Sequence, residues 1–195
     1  MLKLLCSALS PRDDFLSAQT DTTPCNLAFT EAQLRQAVTA ASLAATNPAR
    51  PLLPWLQLTS SLTARLAQQF GSKPGLIVLG EGLEDGQPWE HNLLGAASPV
   101  YARHIALTVD NEPVVLARTV TTQGAGMDAL TQLRTRPLAE LLFEDAAWRR
   151  EATVQYLTLA DSTPGRGCYW HNQDLQAGLV VQEFFLPSLS ARLSE

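Results

Sequence analysis

Hydrophobic and polar residues alternate in three segments of the chain, as they do along a β-strand whose side chains point to opposite faces of a sheet. In each segment one charged residue occupies the hydrophobic face. The three charged residues are Arg103 in residues 101–109, Arg118 in residues 114–120 and Glu183 in residues 179–186. A charge on a buried face needs a partner, because removing an unpaired charge from water is strongly unfavourable. These three residues are therefore the first candidates for a functional site.

Asp110 and Asn111 separate the first two segments and predict a two-residue hairpin turn, because both residue types tolerate positive φ. A hairpin closed at this turn places Arg103 directly opposite Arg118 on one face, and a longer turn would make them diagonal neighbours there. Adjacent guanidinium groups repel unless an anion lies between or beside them. Either Glu183 neutralises one arginine while the other reaches solvent, or a small anionic ligand binds among the three charges. We favour the ligand.

Strand hairpins with helices inserted between them predict an α+β fold with a single antiparallel sheet. Helices are predicted from a capping box at residues 30–33 to about Thr46, between residues 59–61 and Gly71, around residues 127–133 and over residues 137–143. Strands are predicted over residues 76–79 and 153–159, a loop over residues 80–98 and a turn over residues 164–167.

The chain has 195 residues, of which 46% are hydrophobic and 17% charged, as is typical of one compact domain of ordinary size. Two prolines break the first predicted helix at residues 47–51. We therefore expect an N-terminal extension with one helix in residues 1–51 and the main domain in residues 52–195.

The net charge of −5 argues against nucleic-acid binding. Cys6, Cys25 and Cys168 are odd in number and scattered, which favours a reducing compartment over a disulfide framework. No hydrophobic run approaches the roughly 18 residues that a membrane span needs, and the three histidines share no metal-ligand spacing. We expect a cytoplasmic monomer that binds no nucleic acid, membrane or metal.

Several short stretches, in matching order and spacing, resemble the chorismate pyruvate-lyase family between Leu52 and Pro187. They are Trp55-Leu56, Ser60-Ser61-Leu62-Thr63, Tyr101 with Arg103, Asp110-Asn111-Glu112-Pro113, Ala117-Arg118-Thr119-Val120, Pro137-Leu138, Leu142-Phe143 and Glu183-Phe184-Phe185-Leu186-Pro187. The resemblance implies a single antiparallel sheet with helices packed on it and an enclosed ligand site. It also implies a lyase that eliminates pyruvate from chorismate to give 4-hydroxybenzoate, the first committed step toward ubiquinone, without a metal or organic cofactor.

The same resemblance implies roles for single residues. Arg103 corresponds to the arginine that holds the ring carboxylate, and Glu183 to the carboxylate that meets the ring hydroxyl, so we expect these two to be catalytic. Leu62 and Leu138 correspond to positions that contact the ligand. Arg118 corresponds to a second arginine, which we expect to bind the enolpyruvyl carboxylate or to stabilise charge on the leaving group. The alternative is a non-catalytic domain of the same fold that binds or senses a small aromatic acid.

Overall fold

The computed structural model describes residues 31–39, 41–43, 50–96 and 99–194. The strands are β1 (Ser42–Leu43), β2 (Gly75–Glu84), β3 (Val100–Val109), β4 (Glu112–Thr121), β5 (Trp148–Thr158), β6 (Pro164–Asn172) and β7 (Ala177–Phe185). The helices are α1 (Glu31–Thr39), α2 (Leu53–Leu56), α3 (Leu62–Phe70), α4 (Pro88–Leu94), α5 (Ala125–Thr131), α6 (Leu138–Glu144) and α7 (Pro187–Arg192). The strands form one sheet in the order β1-β5-β6-β7-β4-β3-β2, with every neighbouring pair antiparallel. The predicted fold class is confirmed.

Helices cover both faces of this sheet. The front face, defined here as the side that carries Arg103 and Glu183, packs against apolar residues of α2, α3, α5, α6 and α7. The opposite side, the back face, packs against α1 and α4. Because both sides are covered, all ten residues of β3 are buried. A polar side chain on a central strand therefore faces a protein layer on either side of the sheet.

Capping residues set the limits of α3 as the sequence predicted. The hydroxyl of Ser61 accepts a hydrogen bond from the backbone N–H of Ala64 at 3.2 Å. Gly71 ends the helix at φ 73°, a conformation that glycine adopts without steric cost. This helix matters for the site because its first residue, Leu62, is buried against the front face.

The predicted loop over residues 80–98 is wrong. Strand β2 continues to Glu84, and α4 follows after a short connection. Helix α4 has Pro88 in its first turn, and the carboxylate of Glu90 accepts a hydrogen bond from the backbone N–H of Gln87 at 2.7 Å. Gly95 ends the helix at φ 62°. These are ordinary helix signals, but they lie in a stretch whose Gly, Glu and Asp content favoured a loop.

The predicted turn over residues 164–167 is also wrong, because these residues begin strand β6. A Cβ atom at Gly165 would meet the ring of Phe184 and lie 2.8 Å from the carbonyl oxygen of Glu183. Glycine is needed there because two strands approach closely, and no turn is involved. The true turn precedes β6, where Asp161 Oδ1 accepts a hydrogen bond from the backbone N–H of Thr163 at 2.9 Å.

The β3–β4 hairpin has the predicted turn but an unpredicted register. Asp110 and Asn111 adopt φ of 50° and 65°. Beyond the turn the pairing shifts by one residue, so that Leu107 stands opposite Val115 and Val114 is an extra residue in β4. This is a β-bulge, which exchanges the faces of all residues that follow on the bulged strand.

The bulge separates the two arginines that the sequence placed together. Arg103 lies opposite Thr119 on the front face, whereas Arg118 lies opposite His104 on the back face. The prediction that Arg103 and Arg118 share a face is therefore wrong. Glu183 lies on the front face with Arg103, as predicted, because β7 pairs with β4 without a shift.

The described part of the N-terminal segment joins the main sheet. Strand β1 pairs with β5, and Val38 and Ala41 are buried in the back-face core. The predicted helix to about Thr46 is too long, because residues 42 and 43 form a strand; residues 30 and 44–49 lie outside the described residues. The division at residues 51 and 52 stays a prediction. Among the described residues, no helix combines the length and the apolar character needed to cross a membrane.

Candidate active site

A pocket lies between the front face of the sheet and the helices α3 and α6. Its floor is formed by strand residues and its roof by the first residues of the two helices, which include Leu62 and Leu138. Its lining includes Thr119, Arg150, Arg166, Cys168 and Glu183. The predicted ligand-contacting positions Leu62 and Leu138 thus lie in the same pocket as Glu183.

The pocket is narrow and partly open, with a cavity volume of about 60 Å³. A wider outer cavity, of about 530 Å³, adjoins it, and the two share five lining residues, namely Thr63, Leu107, Pro137, Ala139 and Phe143. A buried water needs about 10–15 Å³ of such space, so the inner pocket holds a few waters at most. A ligand the size of a six-membered ring must therefore displace side chains.

Glu183 and Arg166 form an ion pair at one end of the pocket. The two residues are cross-strand partners on β7 and β6. Arg166 Nε donates to Glu183 Oε2 at 2.6 Å, and Arg166 Nη1 donates to the carbonyl oxygen of Leu58 at 2.5 Å. The Glu183 side chain keeps 17% of its surface exposed, whereas Arg166 keeps only 4%. The arginine thus fixes the orientation of the carboxylate that faces the pocket.

Sequence reasoning missed Arg166. Gly165 and Gly167 flank it and favour a turn in the sequence, and an arginine in a turn is expected to be exposed. A hairpin closed around residues 173–176 would have placed Arg166 opposite Glu183. That register was the signal that could have found it.

Arg150 and Cys168 add a second arginine and a thiol to the same end of the pocket. Arg150 Nη1 donates to the carbonyl oxygen of Leu58 at 2.9 Å, so Arg150 and Arg166 share one acceptor. Burial raises the pKa of the Cys168 thiol, and the nearby arginines oppose that rise. The thiol is therefore neutral near pH 7 and acts as part of the pocket floor.

Arg103 lies beyond the opposite end of the pocket and is 2% exposed. Its Nη2 donates to the carbonyl oxygens of Arg134 and Arg136 at 2.6 and 3.1 Å. Its Nε lies 2.8 Å from Glu81 Oε1 in an ion-pair contact without hydrogen-bond geometry. Its Nη1 is buried and has no hydrogen-bond partner among the described residues. Burial lowers the pKa of Arg103, and Glu81 opposes this effect.

Arg103 does not itself line the pocket, but its cross-strand neighbour Thr119 does. Arg103 and Glu183 are separated by two strand spacings and one two-residue step along the strand. At about 4.8 Å per spacing and about 6.7 Å per step, their Cα atoms lie about 12 Å apart. Two long side chains that converge from this separation can hold the ends of a small ring.

Arg118 belongs to a buried ionic network on the back face. Its Nε and Nη2 donate to Glu90 Oε1 and Oε2 at 2.9 and 3.0 Å, and its Nη1 lies 3.2 Å from His104 Nε2 and contacts Glu84. Gln182 donates to the same Glu90 carboxylate. Arg118, Glu90 and His104 are 0% exposed. The predicted contact of Arg118 with substrate has no support in this arrangement, because its guanidinium lies on the side of the sheet away from the pocket.

Glu90 connects α4 to the central strands through this network. Desolvation raises the pKa of Glu90, and hydrogen bonds from the Gln87 backbone and the Gln182 side chain act in the opposite direction. The bidentate contact with Arg118 supplies the opposite charge that a buried carboxylate needs. The network therefore locks the back of β3, β4 and β7, whose front sides form the pocket floor.

Within the described residues, no group of three or more His, Cys, Asp or Glu side chains could hold a metal ion. The ionisable side chains that line the pocket are those of Glu183, Arg150, Arg166 and Cys168.

A model of the family "Chorismate lyase" matches residues 34–193 of the chain. The chain belongs to the chorismate lyase family. A probable chorismate pyruvate-lyase of Azoarcus sp. strain BH72 is 31% identical over 163 residues, which cover 72% of this chain and 86% of the relative. One of Shewanella amazonensis strain SB2B is 38% identical over 158 residues, which cover 72% and 82%. As a chorismate lyase, the protein is an enzyme that acts on a small molecule.

Among solved structures, the effector domain of PhnF from Mycobacterium smegmatis is similar to this chorismate lyase at a TM-score of 0.43 and 18% identity, with coverage of 66% of this chain and 90% of that domain. A likeness at this level gives no information about function.

Proposed function

We propose that the front-face pocket converts chorismate to 4-hydroxybenzoate and pyruvate, as the first committed step toward ubiquinone. The observation that carries the proposal is the largely apolar pocket that joins an oriented carboxylate, Glu183, to an end near Arg103, where a buried N–H has no acceptor among the described residues. Membership of the chorismate lyase family supports the reaction class.

The reaction breaks two bonds of the substrate ring. The bond between ring carbon 3 and the ether oxygen is cleaved, and carbon 4, which bears the hydroxyl, loses its hydrogen, so that the ring becomes aromatic. The leaving enolpyruvate takes up a proton at its methylene carbon and becomes pyruvate. Since aromatisation supplies the driving force, the enzyme needs chiefly to orient the substrate and to balance charge.

Glu183 acts at carbon 4 in this proposal. Its carboxylate accepts a hydrogen bond from the ring hydroxyl or removes the hydrogen from the same carbon, and Arg166 holds it in place for either role. Arg103 binds the ring carboxylate at the opposite end, where its Nη1 offers a donor that no described residue accepts. Leu62 and Leu138 contact the faces of the ring from the pocket roof.

A coupled assay tests the proposal. Purified protein is incubated with chorismate, pyruvate is followed with lactate dehydrogenase and NADH, and the aromatic product is identified by chromatography. Equimolar pyruvate and 4-hydroxybenzoate are expected, above the slow background of chorismate alone. 3-Hydroxybenzoate as the product would overturn the proposed substrate orientation, and tight binding of chorismate without pyruvate would indicate a sensing domain.

We also propose that the enzyme is a cytoplasmic monomer; the odd number of scattered cysteines supports the reducing compartment. Light scattering coupled to size-exclusion chromatography tests the oligomeric state. A mass of twice 21.2 kDa would contradict the monomer.

A further inference from the structure

Arg150 is a pocket arginine to which the family resemblance assigned no role. It lies on β5, at the end of the pocket that contains Glu183. Its guanidinium donates to the carbonyl oxygen of Leu58 and toward the thiol of Cys168, which is a weak acceptor. An arginine has five N–H donors, so the described residues leave part of this guanidinium available to a ligand.

The charges at the two ends of the pocket are unequal. At the far end, Arg103 is balanced by Glu81. At the near end, Arg150 and Arg166 meet the single carboxylate Glu183, which leaves one excess positive charge. An excess positive charge in a water-poor pocket favours a second anionic group of the ligand beside Glu183.

The chemistry of the substrate puts an anion at this end. Chorismate carries its enolpyruvyl ether on ring carbon 3, next to carbon 4, so the carboxylate of the side chain lies close to whatever group acts on carbon 4. The Nε of Arg166 is already bonded to Glu183 and its Nη1 to Leu58. Arg118 lies on the back face.

We propose that Arg150 binds the enolpyruvyl carboxylate of chorismate, an inference that rests on the proposed function of the pocket. The planar guanidinium can hold a carboxylate through two parallel hydrogen bonds. When the bond between carbon 3 and oxygen breaks, its electron pair stays on the leaving oxygen. Enolpyruvate then carries a second negative charge beside Arg150 until its methylene carbon takes up a proton, so Arg150 also stabilises the leaving group.

The test compares a ligand with two carboxylates with a ligand that has one. In Arg150→Met, the Kd of chorismate, measured by calorimetry in a Glu183→Gln background that suppresses turnover, is expected to rise about 10- to 100-fold. The Kd of 4-hydroxybenzoate, which lacks the second carboxylate, is expected to change less than about two-fold. Arg150→Lys keeps the positive charge but loses the paired N–H donors of the guanidinium. Its Kd for chorismate should therefore lie between those of Arg150→Met and the parent protein.

Arg149→Met is the matched control, because Arg149 is the exposed neighbour of Arg150 on the same strand. This substitution should leave the Kd of chorismate and the Kd of 4-hydroxybenzoate unchanged. An unchanged Kd of chorismate in a folded Arg150→Met protein would overturn the inference, and so would an equal rise for both ligands. If Arg150→Met does not fold, the same comparison on Arg150→Lys decides. Failure of the proposed function has a separate signature, namely no pyruvate from the unmodified enzyme.

Discussion

Arg166 and Glu183 face each other across β6 and β7, and Arg166 Nε donates to Glu183 Oε2 at 2.6 Å. The pair fixes a carboxylate at the wall of an otherwise apolar pocket. Since Arg166 also donates to the carbonyl oxygen of Leu58, the same guanidinium ties the segment between α2 and α3 to the pocket floor.

Replacement of Glu183 by glutamine should lower kcat about 10²- to 10⁴-fold, because a general base in the pocket contributes a factor of this size. The amide keeps the shape of the side chain but leaves the buried Arg166 without its carboxylate partner, so the melting temperature should fall while the protein stays folded at the assay temperature. The coupled pyruvate assay and circular dichroism measure the two quantities. Glu151→Gln is the control, since Glu151 is 54% exposed and outside the pocket. A Glu183→Gln enzyme with normal kcat would exclude Glu183 as the base.

Arg103→Met should raise the Kd of 4-hydroxybenzoate about 10- to 100-fold, since a hydrogen bond to a charged group contributes roughly 1.5–3 kcal/mol. Fluorescence titration measures the affinity. Arg134→Met serves as the control, because Arg134 is exposed and contributes only its backbone carbonyl to the site. If the Arg103→Met and parent proteins bind 4-hydroxybenzoate with equal affinity, Arg103 does not bind the ring carboxylate.

Arg118→Met should destabilise the fold and have little effect on the KM of chorismate. Its loss leaves Glu90 buried without its cationic partner, which costs about 3–5 kcal/mol of unfolding free energy. Urea unfolding measures this loss, and Glu90→Gln in the same protein should restore part of it. Arg192→Met breaks only exposed ion pairs and should cost less than about 1 kcal/mol. A stable Arg118→Met protein with a greatly raised KM for chorismate would contradict this assignment and would indicate that Arg118 binds the substrate.

Gly165→Ala should destabilise the protein by about 1–3 kcal/mol, because the added methyl group would meet Phe184 and the backbone of Glu183. Gly167→Ala is the matched comparison on the same strand. Its nearest neighbour, at 3.3 Å, is the flexible end of Leu157, so a smaller loss is expected. Thermal unfolding of both variants provides the test, and the reverse order would contradict the close approach of β6 and β7 at Gly165.

The thiol of Cys168 should react slowly with iodoacetamide, because burial raises its pKa and a raised pKa leaves less thiolate at a given pH. In a Cys6→Ser, Cys25→Ser background, the rate should rise with pH to a midpoint above that of an ordinary thiol. Mass spectrometry follows the reaction. Since Cys168 lines the pocket, 4-hydroxybenzoate should slow it further; a midpoint below that of a denatured sample would contradict this account.

Local rules predicted the elements whose limits are set by local chemistry. The cap at Ser61, the stop at Gly71 and the turn at Asp110 and Asn111 are all present, and the alternation in β7 placed Glu183 correctly. Leu62 and Leu138 came from the family resemblance, and both line the pocket.

The features that the sequence did not reveal depend on contacts between distant segments. The bulge at Val114 carries no local signature, and it reversed the face of Arg118. Gly165 looks like a turn residue unless the ring of Phe184 on the next strand is known. Helix α4 was not predicted, because the Gly, Glu and Asp content of its segment favours a loop more strongly than its capping residues favour a helix. The position of Glu90, the partner that allows Arg118 to be buried, was therefore not predicted either.

The single inserted residue at Val114 also distributes charge between two compartments. Without it, two like charges would crowd one cavity while the opposite layer held carboxylates with no cation. With it, each of the two arginines meets a carboxylate in its own layer, Arg103 with Glu81 in one and Arg118 with Glu90 in the other. Deletion of Val114 would therefore impair both catalysis and folding, although Val114 is neither of the two arginines whose placement it determines.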